Sequence, residues 1–131
     1  MKYEDYTAST QAAAEMFEKG EHAKAMDMFE RLLMSDISPI DKAMMCHNVA
    51  LALDKLGRLH EALHAYDRAI AFESPFSRCD SIERKAAFLA EKGDTGASIA
   101  LYEEILGRPY TTEGEKYRCR ANIATLRQRL G

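Results

Sequence analysis

The feature that most constrains this chain is the regular spacing of four glycines. Gly20, Gly57, Gly93 and Gly131 are separated by 37, 36 and 38 residues, and helical apolar patterns flank each of the first three. A period of this length is typical of stacked helix-turn-helix units. One such unit cannot bury its apolar face alone, so neighbouring units must supply the rest of the core.

A first helical pattern precedes every glycine. Alanines recur seven residues before the glycines, at Ala13, Ala50, Ala86 and Ala124. Apolar residues nearby share one face of a 3.6-residue helix with them. Because a larger side chain would hold two backbones apart, these alanines predict close approach of a neighbouring helix. The glycines are predicted to end these helices in a left-handed conformation.

A second amphipathic pattern follows each of the first three glycines. Phe29, Tyr66 and Tyr102 each lie nine residues after a glycine, and small residues lie five after it. This spacing predicts a second helix that buries an aromatic side chain at the same place in every copy.

The helix starts also recur along the chain. Ser38, Pro39 and Asp41 match an N-cap, a first-turn proline and a first-turn acid. The pair at 74–75 repeats the Ser-Pro start, and residues 112–115 match a capping box. We therefore predict seven helices, over residues 3–19, 22–35, 39–56, 59–73, 75–92, 95–107 and 113–130.

These patterns together resemble the tetratricopeptide repeat family. The second copy carries the resemblance best, in Asn48–Ala50, Leu53, Leu56–Arg58, Glu61–Leu63, Tyr66 and Ala69–Ile70. The copies here run to 36–38 residues, which is longer than the family's usual unit and leaves the stacking angles open.

The resemblance implies an all-α fold, a right-handed superhelical stack of three repeats closed by a capping helix. We expect a single domain over 1–131, with repeats at about 3–37, 38–73 and 74–110 and the capping helix at 112–130. A truncated chain is the alternative explanation for a last helix that has no second helix after it.

The resemblance further implies a concave groove, lined by the first helix of each pair, that binds a peptide. Asn48 and Asn122 offer both donors and acceptors to a peptide backbone. Arg84, which like Asn48 and Asn122 lies nine residues before a glycine, can pair with a carboxylate bidentately. Ordinary exposed polar residues are the alternative interpretation. The first-helix positions that lie thirteen, ten, nine, six and three residues before each glycine should face the groove. The other groove residues predicted from these positions are Thr10, Gln11, Phe17, Met44, His47, Leu51 and Arg118.

One known ligand of the family, the acidic C-terminal tail of chaperones, does not fit. The five positions of that clamp hold Thr10, Ala14, Asn48, Asp80 and Arg84, of which only Asn48 and Arg84 match. Asp80 places a negative charge where an acidic tail needs a positive one. We therefore reject binding of chaperone tails.

The segment from His60 to His64 matches the HExxH pattern of zinc hydrolases. However, Glu61, Ala62 and Leu63 also match the repeat's own second-helix pattern, with Ala62 and Leu63 in the core. The repeat therefore explains the segment without catalysis, and we expect no catalytic residue and no metal. A zinc-dependent hydrolase is retained as the less favoured alternative.

Composition sets the remaining expectations. A formal net charge of −3 gives no basis for nucleic-acid binding, and the chain has no signal-like or membrane-length apolar run. Cys46, Cys79 and Cys119 are odd in number and form no CxxC pair, which favours a reducing cytoplasm. The sequence therefore predicts a cytoplasmic, cofactor-free, non-enzymatic adaptor for a protein or peptide. The alternative is a self-associating module, such as a homodimer joining the acidic N-terminal end to the basic C-terminal end.

Overall fold

The computed structural model of the chain describes residues 2–131, and within them it contains seven α-helices and no strand. The predicted all-α repeat fold is thus confirmed. Four helices (α1, α3, α5 and α7) are the first helices of their copies, and three (α2, α4 and α6) are second helices. Their bounds are α1 Tyr3–Glu18, α2 His22–Leu33, α3 Pro39–Lys55, α4 Leu59–Glu73, α5 Asp80–Glu91, α6 Thr95–Leu106 and α7 Glu113–Arg129.

The chain forms two compact units. Unit 1 ends at Phe72 and holds α1 to α3 and all of α4 except its last residue. Unit 2 spans Glu73–Gly131 and holds α5 to α7. In unit 1, α2 packs against both α1 and α3, and in unit 2, α6 packs against both α5 and α7. In both units a second helix therefore lies against the first helices of two consecutive copies, as a stacked repeat requires.

The period-setting glycines end their helices in the same way. Gly20, Gly57 and Gly93 have φ angles of 82°, 75° and 87°, in the left-handed region that was predicted. Each glycine amide donates to the carbonyl three residues before it, at 3.0–3.1 Å, and the next amide donates to the carbonyl five residues before it, at 2.9 Å. This pair of bonds is a Schellman motif, which satisfies the last carbonyls of the helix. An L-residue there costs about 1–2 kcal/mol, which explains why glycine recurs.

The core of unit 1 follows the repeat pattern. Ala13 and Ala50 on the first helices and Ala25 on α2 are fully buried. The aromatic side chains of Phe29 and Tyr66 are only 4% and 3% exposed. The predicted close approach of helices at the alanines and the predicted aromatic packing are both confirmed here.

The core of unit 2 follows the same pattern with two differences. Ala86 and Tyr102 are buried, but Ala124 is exposed, although its offset predicts a helix contact. Helix α7 packs through Cys119 and Leu126, and Ala124 lies outside that buried stripe. Ser98, which replaces the alanine expected in the third copy, is fully buried, and its hydroxyl donates to the carbonyl of Ala86 at 2.6 Å.

Two of the three predicted cap patterns are confirmed. The Ser38 hydroxyl accepts the amide of Asp41 at 3.1 Å, and Pro39 is the first residue of α3. Thr112 and Glu115 form the predicted capping box, with reciprocal side chain to backbone bonds of 3.0 and 3.1 Å.

The predicted start of the fifth helix at residue 75 is wrong. The pair at 74–75 lies in a short 3₁₀ turn, Ser74–Phe76, that follows directly on α4, and α5 begins only at Asp80. Ser77, at the end of the turn, has a φ of 57°, which breaks the helical path. The backbone amide of Ser81, in the first turn of α5, instead donates to the carboxylate of Glu73. The helix is therefore capped by the last residue of α4.

Candidate functional site

The first helices of unit 1 enclose one side of a small cavity, which we call the unit 1 cavity. Its volume is about 180 Å³. It brings together four residues that the sequence predicts for the groove, two from α1 and two from α3. The lining residues are Thr10, Ala14, Phe17, Glu18, Phe29, Asn48 and Leu51.

Four of the seven residues that line this cavity are apolar. Phe29 from α2 is almost fully buried, and Leu51 is 37% exposed. The Phe17 ring is held by an edge-to-face contact with the His22 ring, at 4.7 Å between centroids. The Thr10 hydroxyl donates to carbonyls of its own helix, so it presents mainly its methyl group and its acceptor capacity.

Asn48 supplies the polar character of the unit 1 cavity. Its side chain is half-buried on α3, one turn before Leu51. An amide beside an apolar cavity can donate to and accept from a peptide backbone while a neighbouring side chain enters the cavity. The arrangement therefore suits a ligand that is polar along its backbone and apolar at one side chain.

The first helices of unit 2 line a wider and more charged depression, which we call the unit 2 recess. Its volume is about 390 Å³, and it brings together the predicted Arg84 of α5 and Asn122 of α7. Its lining residues are Asp80, Glu83, Arg84, Ala87, Tyr102 and Asn122.

The acids of the unit 2 recess already have partners. Arg118 donates to both carboxylate oxygens of Glu83, at 2.8 and 3.2 Å, and this hydrogen bonding raises the pKa of Arg118. Arg78 donates to Asp80 at 3.1 Å. Within residues 2–131, Arg84 forms no such ion pair. Its guanidinium is therefore the charged group of the recess that can bind a ligand.

The remaining predicted groove residues lie outside both depressions. Gln11 is exposed on α1, and Met44 is 38% exposed on α3. His47 is half-buried, and its ring centroid lies 5.9 Å from that of Tyr66 on α4. Arg118 is engaged with Glu83 and joins α7 to α5.

The HExxH segment serves the start of α4. Arg58 pairs with both carboxylate oxygens of Glu61, and this hydrogen bond lowers the pKa of the Glu61 carboxyl. His60 and His64 are exposed, and Ala62 is fully buried in the core. Among the residues that the structure covers, no three His, Cys, Asp or Glu side chains are grouped closely enough to hold a metal ion.

A further cavity between α2, α3 and α4, of about 270 Å³, has no counterpart in the sequence interpretation. Glu30 of α2 accepts two hydrogen bonds from Arg68 of α4, at 3.1 and 3.4 Å, and closes one side of it. Burial raises the pKa of the nearby Cys46 thiol to about 11. A thiol with this pKa stays protonated at neutral pH, which suits a packing role and not a nucleophile.

Two aromatic contributors to the depressions were not predicted as site residues. Phe29 and Tyr102 carry the aromatic pattern of the second helices, which indicated only a core role. Their rings reach the depressions because α2 and α6 pack directly beneath the first helices.

No helix in residues 2–131 has the length and apolar character to cross a bilayer.

Comparison with known proteins identifies the repeat. Residues 43–74, which contain α4 and most of α3, match the sequence model of the tetratricopeptide repeat. No curated protein matches the chain in sequence. Among solved structures, the chain is similar to PcrH in complex with the chaperone binding region of PopD, with 16% identity and a TM-score of 0.68. That match covers 100% of this chain and 97% of PcrH, so the two share a fold over their whole length.

Proposed function

We propose that this chain, a tetratricopeptide repeat protein, is an adaptor that binds a segment of another protein on the face of its first helices. The observation that carries the proposal is the pairing of predicted groove residues. Asn48 and Leu51 meet Thr10 and Phe17 at the unit 1 cavity, and Arg84 meets Asn122 at the unit 2 recess.

The chemistry of these depressions supports a peptide as the ligand. Asn48 and Asn122 occupy the same offset in their copies and both remain partly exposed. Each amide can pair with a peptide group, which every sequence contains, while Arg84 adds selectivity for an acceptor. The PcrH structure contains the chaperone binding region of PopD, so a protein with this fold accommodates a segment of a partner.

A non-enzymatic role is part of the same proposal. Glu61 forms an ion pair with Arg58, and this ion pair would have to break before Glu61 could act as a general base. The three thiols are free and buried, which supports a reducing compartment such as the cytoplasm as the place of action. A net charge of −3 supports a protein partner rather than a nucleic acid.

Affinity capture from the source cells tests this proposal. The tagged chain is compared with Asn48→Ala/Leu51→Asp and with Arg84→Glu/Asn122→Ala, after circular dichroism shows unchanged helix content. The partner recovered with the wild type should be depleted at least tenfold by either variant, because each removes polar contacts and adds a mismatched charge.

The matched control introduces a charge on the second helices. Ala23 of α2 and Ala100 of α6 are exposed, so Ala23→Glu and Ala100→Glu should leave capture unchanged. Equal recovery by the wild type and both first-helix variants would refute the proposed face. Loss of recovery in the control variants alone would assign binding to the second helices instead.

A further inference from the structure

The unit 1 cavity has a charge bias that the repeat pattern does not require. Of the described residues that line it, none is basic, and Glu18 is the one charged side chain. Glu18 is exposed on the last turn of α1 and forms no ion pair within residues 2–131. An uncompensated carboxylate at the edge of an apolar cavity attracts a cation that arrives together with an apolar group.

The cavity is also the more apolar of the two depressions. Phe17, Phe29 and Leu51 line it, whereas the lining of the unit 2 recess includes three charged side chains and, at the position equivalent to Leu51, the small Ala87. An apolar cavity of about 150 Å³ takes up a benzene ring. The unit 1 cavity, at about 180 Å³, therefore has room for one leucine, methionine or phenylalanine side chain.

We propose that the unit 1 cavity selects a partner segment in which a large apolar residue stands next to lysine or arginine. The apolar side chain enters between Phe17 and Leu51, the adjacent cation pairs with Glu18, and the Asn48 amide holds the backbone between them. This inference rests on the proposed function, because it assumes that the first-helix face binds a peptide.

The two contacts contribute differently to affinity. Burial of the apolar side chain supplies most of the binding energy, and the exposed ion pair with Glu18 supplies selectivity. Reversing the charge at Glu18 replaces an attraction with a repulsion of similar size, so affinity for the apolar-basic pair should fall on the order of tenfold.

Selection from a random 12-residue peptide library displayed on phage tests the inference. The full chain is used as bait beside Glu18→Arg, Leu51→Asp and a matched control, Glu15→Arg. Glu15 is exposed on the same helix and lies outside the cavity, so its reversal changes net charge equally without touching the site.

The wild type and Glu15→Arg should enrich peptides with leucine, methionine or phenylalanine beside lysine or arginine. The Glu18→Arg variant should instead enrich an acidic neighbour, and Leu51→Asp should lose the apolar preference. If the enriched peptides lack the apolar-basic pair but Asn48→Ala still weakens their binding, the inference is overturned and the proposed function stands. Failure to enrich any peptide also overturns it, and affinity capture then decides the proposed function separately.

A second copy of the chain is the competing occupant, because Leu130 is 65% exposed beside Arg129. Sedimentation velocity at rising protein concentration separates the two cases. A monomer that binds the selected peptides supports a separate partner. A dimer that Leu51→Asp and Leu130→Asp both dissociate overturns that assignment.

Discussion

The carboxylate of Glu73 makes the start of α5 the most informative place to perturb the fold. Glu73 is only 3% exposed, and Ser81 is fully buried. One carboxylate oxygen accepts the Ser81 amide at 2.8 Å, and the other accepts the Ser81 hydroxyl at 2.7 Å. Replacement by alanine removes both acceptors and leaves two buried donors without partners.

The expected cost follows from those two donors. A buried donor left without an acceptor costs about 1–3 kcal/mol. Loss of a negative charge close to the α5 N-terminus removes a further ~0.3–1 kcal/mol of dipole interaction. Because local relaxation admits some water, we expect Glu73→Ala to lower the free energy of unfolding by about 2–4 kcal/mol.

Urea unfolding followed by circular dichroism at 222 nm measures this loss, and amide hydrogen exchange localises it to the first turn of α5. Ser81→Ala should cost less, because the Ser81 amide keeps its acceptor. The double variant Glu73→Ala/Ser81→Ala should therefore be more stable than the sum of the single effects predicts, by on the order of 1 kcal/mol.

The result that would refute this reasoning is a Glu73→Ala variant within about 0.5 kcal/mol of the wild type, the range of neutral surface substitutions. Unchanged exchange at the Ser81 amide would point the same way. Either outcome would mean that the start of α5 is fixed by its packing and that the carboxylate contributes little.

The other predictions concern the glycines and the thiols. Gly57→Ala should lower the free energy of unfolding by about 1–2 kcal/mol in urea unfolding, because φ is 75° there. Gly96→Ala should raise it by about 0.5–1 kcal/mol, since Gly96 lies within α6 and an added Cβ meets nothing within 4 Å; a loss at Gly96 or a gain at Gly57 would contradict the account. Burial raises the pKa of the Cys46 and Cys119 thiols from 9.0 to about 11. The unfolded chain releases these protons first, so the free energy of unfolding should fall as pH rises from 9 to 11, and Cys46→Ala/Cys119→Ala should flatten that slope.

The fold was largely predictable because the same local signals recur in several copies. Ala50 and Tyr66 are buried where periodicity places them, and Gly57 adopts the left-handed conformation that ends its helix. The Ser38 cap was predictable because an N-cap depends on residues within one turn.

The start of α5 was not predictable by the same rules. Ser74–Pro75 satisfies the local cap pattern, but the acceptor that fixes the helix belongs to Glu73, which lies eight residues before Ser81. A side chain that acts across a turn of irregular backbone leaves no periodic signal. The burial of the Glu73 carboxylate depends on how the surrounding elements pack, which the local sequence pattern does not show.

The candidate site was predictable in its first-helix members and not in its neighbours. Helical offsets placed Asn48 and Leu51 on one face of α3, and the structure brings them to one cavity. The offsets could not show that Glu18 lies at its edge, or that Arg118 is occupied by Glu83. Those features depend on how separate helices pack, which no single helix encodes.

Site-specific photo-crosslinking of the captured partner tests the central claim most directly. A photoreactive amino acid is placed singly at Leu51 and Ala87 on first helices, and at Ala23 and Ala100 on second helices, all of them exposed. We predict that the partner is crosslinked from Leu51 and Ala87 and that the second-helix positions give only background. Crosslinks from Ala23 or Ala100, with none from Leu51 or Ala87, would contradict the account.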